Sequence, residues 1–187
     1  IALEVVLTSA GVFLGLMGEQ WRQRSEEQAL AQESLRRFRT EIAANRKAVD
    51  AVKDYHALLK GDLDAYFKPG NPSPSTTKVR MTRGVGPVFF ERAAWELARA
   101  TGALAHIETD LGFALSRVYT VQQSYAAIQT AIVPTIYART GAQDSEGFLR
   151  SIHSYVGDLA YFDPTILKQY DEVLTRLDRT LGETPAP

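Results

Sequence analysis

The chain contains no cysteine, which removes disulfide frameworks, thiolate zinc sites, iron–sulfur clusters and cysteine nucleophiles together. Charge of one sign is also missing: 21 basic side chains stand against 22 acidic ones, for a formal net charge of −1. That balance gives no general attraction to phosphate, so nucleic acid is not an expected partner. Histidine is scarce, with three copies. None of His56, His106 or His153 has a Glu three residues before it, so the Glu-x-x-His pairs of di-iron bundles are lacking. There is no G-x-S-x-G, no Walker loop and no H-E-x-x-H, and Gly84 and Gly86 lack the rest of a dinucleotide fingerprint. Strand-like alternation is confined to VRMTRGV, residues 79–85, which is short. The residues point to no catalytic group, no cofactor and no metal, and the expectation is a protein that is not an enzyme.

What is present is apolar pattern. With 187 residues, 45% hydrophobic and 23% charged, the chain can bury one substantial core. Near its start, Val5 to Gly18 carry no charge. A membrane span needs about 20 apolar residues, and the clean run is shorter, so residues 1–20 read as a transmembrane anchor whose start is missing. Trp21, Arg22 and Arg24 follow where an aromatic anchor and snorkelling arginines mark an interface. Gly11, Gly15 and Gly18 fall on nearly one face and would let a neighbouring helix approach closely. Two other readings compete: a cleaved signal peptide, although no small-residue cleavage pattern ends the run, and a buried core helix.

From Ala31 onward a heptad rhythm takes over. Ala31, Leu35, Phe38, Ile42, Asn45, Val49, Val52, His56, Leu59, Leu63 and Tyr66 step by four and three without a break, the narrow seam of a bundle helix spanning residues 21–67. Asn45 and His56 on that seam read as polar residues that fix register or meet a buried partner. No proline occurs before Pro69, so anchor and helix can form one rod. Residues 68–87 hold four of the eight prolines and form a loop. Its Lys78, Arg80 and Arg83, with no acidic residue among them, are candidate contacts for lipid headgroups or an acidic partner.

The remaining segments, 88–183, complete the bundle. A short amphipathic stretch around Trp95 ends at Gly102, a C-terminal cap. Ile107, Leu111, Ala114, Val118, Val121, Tyr125, Ile128 and Ile132 form a second seam that Pro134 should kink or end. Phe148, Ile152, Tyr155, Leu159 and Phe162 form a third. Asp163 and Pro164 look like an N-cap and first helical residue opening a last helix through Leu181, and residues 184–187 should fray. The expected fold class is all-α: an N-terminal transmembrane helix continuing into an antiparallel bundle of about four helices. The heptad seams can close within one chain or between two, so a homo-oligomer is among the expected assemblies.

Two blocks carry a resemblance. LEVVLTSAGVFLGLMGEQWRQRSEEQALAQESLRRFRTEIAANR, and AWELARATGALAHIETDLGFALSRVY with Trp95, Leu97, Gly102, Leu104 and Tyr119, are similar to an uncharacterised bacterial family with an N-terminal membrane helix and an extracytoplasmic helical domain. Glu4, and Gln20 where the family has Asn, depart from its pattern. The resemblance implies a single-pass protein of the bacterial inner membrane with its domain in the periplasm. Arg22 and Arg24 after the span argue for the cytoplasmic alternative by the positive-inside rule. The functional expectation is a non-enzymatic accessory or scaffold subunit of a larger membrane complex, with photosynthetic and respiratory complexes among the hosts that fit. Its partners would be other membrane subunits and lipid. The alternative is a membrane-anchored sensory or ligand-binding helical module.

Overall fold

In the computed structural model, which describes residues 2–70, 78–137 and 145–182 (side chains 2–12, 14 and 137 excepted), one helix dominates. Helix α1, Ala2–Tyr66, has 65 residues, about 100 Å at 1.5 Å per residue. It stops where Pro69 and the positive φ of Gly70 prevent its continuation. Then come α2, Ala93–Ala100, a 3₁₀ turn at Ala103–His106, α3, Thr109–Tyr137, and α4, Ser145–Leu181. No strand occurs among the described residues, and residues 79–85 are irregular.

The α1 seam is buried as the heptads predict: Leu35, Phe38, Ile42, Val49, Leu59 and Leu63 are almost wholly covered, and so are Asn45 and His56. Each such apolar side chain contributes about 1.5–3 kcal/mol. Cross-helix pairs give the direction of packing. Arg39 with Asp178, Arg46 with Asp171, His56 with Asp163 and Asp64 with His153 descend α1 while ascending α4. The two helices are therefore antiparallel and in register. Tyr125 with Asp163 and Gln122 with Tyr170 make α3 and α4 antiparallel as well.

Since α1 and α3 run the same way, the chain must travel back up the bundle between them. Residues 78–92 do this as an extended strap, and α2 and the 3₁₀ turn finish the return beside the α1 segment that holds Glu27, which pairs with His106. At the turn into α3, Glu108 accepts the backbone N–H groups of Asp110 and Leu111, and these hold its carboxyl below the ordinary range.

One expectation changes here. Asp163 and Pro164 do not open a helix; both lie inside α4. Asp163 is not a cap because its carboxylate is committed across the bundle, and burial of Leu159, Ile166 and Leu167 on either side offsets the one backbone bond that Pro164 removes. Pro134 likewise sits inside α3, which runs three residues past it. The expected all-α fold of about four helices holds: there are four α-helices among the described residues, three of them long, and the short α2 follows the strap. Finally, among the described residues no helix is long and apolar enough to cross a membrane. Most of the charge-free run at 5–18 lies outside the described side chains.

Candidate functional site

The strap is pinned to the bundle along its length. Asp62 accepts the backbone N–H and two guanidinium nitrogens of Arg80, at 2.9, 2.8 and 2.6 Å. Tyr55 donates to the Gly84 carbonyl at 2.7 Å and accepts the Arg83 N–H at 3.2 Å. His56 Nε2 lies 2.8 Å from the Gly86 carbonyl. Side-chain amides then grip the backbone in pairs, Gln129 on Val88 and Asn45 on Glu91, each both donating and accepting. Glu41 accepts the N–H of Ala94 at 2.7 Å, which supplies the start of α2 with a cap from another helix. The α1 contacts climb from residue 62 to 41 as the chain advances from 80 in the strap to 94 in α2.

Two buried polar clusters result. In the first, the Asp163 carboxylate accepts Tyr125 Oη at 2.7 Å and lies 2.7 Å from His56 Nδ1, with all three residues nearly inaccessible. A carbonyl only accepts, so Nε2 carries the proton shared with Gly86, and one further proton lies between Nδ1 and Asp163. In the second, Tyr119 donates to Glu41 at 2.6 Å while its ring stacks on Trp95 at 4.8 Å. Burial first, then the neighbouring carboxylate, pushes the hydroxyls of Tyr119 and Tyr125 far above the ordinary range.

Between strap and α3 lies a cleft of about 540 Å³, within the usual range for a small-molecule site. Val88, Phe89 and Phe90 form one wall, and Ile132, Val133 and Ile136 form the far end of the other. Phe89 is 85% exposed although it borders this apolar surface. Gln122 and Tyr155 also line the cleft; both are buried, and Gln122 Oε1 and Tyr155 Oη have no hydrogen-bond partner. Burial and the nearby Asp163 charge push Tyr155 up to about 12. Among the described residues no group of acidic or histidine side chains could hold a metal.

The residues singled out from sequence fall in two places. Gly15, Gly18, Trp21, Arg22 and Arg24 lie on the part of α1 that precedes the bundle core, and Gly11 lies among side chains outside the described set. A Cβ added at Gly15 or Gly18 would meet nothing within 4 Å. Trp21 is 78% exposed, and Arg22 is paired along its own helix with Glu19 and Glu26. On the strap, Lys78 and Arg83 are exposed, whereas the guanidinium of Arg80 is held by Asp62. The sequence patterns do not point to the cleft, to Gln122 and Phe89 on its lining, or to the Tyr125–Asp163–His56 cluster. Tyr125 and His56 on facing seams were the available signal; Asp163 was masked by the proline after it.

No known protein family, curated protein or solved structure matches the chain.

Proposed function

We propose that the chain is a non-enzymatic accessory subunit of a larger bacterial membrane complex, anchored by the start of α1 and presenting its bundle to partner subunits. The observation that supports this is the exposed apolar side of α1 ahead of the bundle. Phe13, Leu16, Met17 and Trp21 recur at helical spacing and are 62%, 60%, 53% and 78% exposed. This side continues the charge-free run from Val5, and lipid or a neighbouring membrane helix is the environment that would cover it. The polar clusters are spent on holding the strap, which fits a structural part better than a catalytic one. By the resemblance above, the bundle lies on the periplasmic side of the inner membrane.

Mild detergent extraction of the tagged chain from its native membrane, with sizing and mass spectrometry of what accompanies it, tests this. A stoichiometric set of membrane partners is expected. A free monomer would overturn it.

A second reading, a membrane-anchored sensory or ligand-binding module, draws support from one feature: the apolar cleft with its unmatched Gln122 and Tyr155 atoms.

A further inference from the structure

We infer that the cleft between strap and α3 takes a single-chain carboxylate, its acid group at Arg92 and its alkyl chain running toward Ile136. This rests on the ligand-binding reading and names the ligand class. The cleft is polarised along its length. Arg92 and the successive residues Gln122 and Gln123 stand toward one end, while Ile132, Val133 and Ile136 stand at the other. From Gln123 to Ile136 the α3 wall is about 20 Å long. Arg92 is the one charged side chain on the lining, and no carboxylate lines it among the described residues. An anion is therefore matched and a cation is not.

Arg92 has capacity to spare. One of its nitrogens is 3.2 Å from Glu96, in a half-exposed pair, which leaves other N–H donors for a second carboxylate. The amide of Gln122 is committed beneath that end, its Nε2 donating to Tyr170 Oη at 2.9 Å, so Arg92 is the donor on which the acid group depends. Phe89, exposed at the mouth, has apolar surface to lose when an alkyl chain lies against it.

The test is calorimetric titration of the full chain in neutral-lipid nanodiscs with decanoate and, separately, decan-1-ol, with empty nanodiscs subtracted. Decanoate is expected to bind once per chain and about tenfold more tightly than the alcohol, the scale of one charge-assisted hydrogen bond. Arg92→Gln should erase that preference, and Arg92→Lys should keep most of it. Val133→Trp, at a position 42% exposed, should block both probes without loss of helicity by circular dichroism. Equal binding of acid and alcohol, unchanged in Arg92→Gln, would overturn the carboxylate assignment while leaving a ligand-binding cleft. No heat above empty nanodiscs for either probe, or undiminished binding in Val133→Trp, would overturn the cleft as a ligand site altogether.

Discussion

Removing the Asp163 carboxylate is the sharpest available perturbation of the bundle, because one side chain satisfies groups from two other helices. In Asp163→Ala, Tyr125 Oη and His56 Nδ1 both lose partners now 2.7 Å away, at positions that are fully buried. An unmatched buried group costs about 1–3 kcal/mol, and breaking a buried pair by deleting one member costs about 3–5 kcal/mol. A loss of about 4 kcal/mol is expected, a large part of the roughly 5–15 kcal/mol that holds a domain together. Asp163→Asn behaves differently. Its amide oxygen still accepts from Tyr125, and its N–H can donate to Nδ1 of a neutral ring protonated on Nε2. That variant should lose only about 1 kcal/mol. Urea unfolding of the full chain, followed by circular dichroism at the helix band, gives both values. If the two variants fell together, hydrogen-bond count would not be what the site requires, and attraction between a charged His56 and Asp163 would be holding it. If both matched the parent, the cluster would contribute nothing net and the account above would fail.

Other consequences are as direct. Asn45→Ala leaves the N–H and carbonyl of Glu91 without their side-chain partner, so a loss of about 2 kcal/mol is expected in the same unfolding assay, with faster amide exchange at Glu91. Gly86→Ala should lower the melting temperature: its φ is +61°, and an added Cβ would stand 2.9 Å from His56 Nε2. Hydrogen bonds from Arg80 hold the Asp62 carboxyl below its ordinary value. A depressed carboxylate stabilises the fold above its unfolded pKa, so that contribution should fade as pH falls below about 4. The protection of the Arg80 amide, its exchange rate corrected for the intrinsic effect of pH, should fall there, and in Asp62→Asn, which keeps an acceptor oxygen but no charge, it should already be lower at neutral pH and not change with acid.

How much of this was legible beforehand differs by element. Along α1 the rhythm of four and three identified nearly every buried position, because a narrow stripe on one helix is a local property of the chain. The α3 seam was only half legible. Leu115, Tyr119 and Gln122 are buried where Ala114, Val121 and Ile128 are partly exposed, since α3 packs on α4 and also faces the strap, and two neighbours rotate the buried side. Proline rules misjudged α4, as the tertiary partners of Asp163 outweigh a local preference to start a helix there.

Local pattern is enough to make the protein helical, to make α1 long and unbroken, and to turn Asn45 and His56 inward. Periodicity, the absence of proline and the cost of exposing apolar stripes suffice for each of these. What the polar residues meet depends on how the helices pack. Asn45 meets the backbone of Glu91, 46 residues on, and His56 meets Asp163, 107 residues on. No local pattern encodes a partner at that separation. The strap's path, the cleft beside it and the commitment of Arg80 to Asp62 follow from such pairings, and they exist only once α1, α3 and α4 have packed.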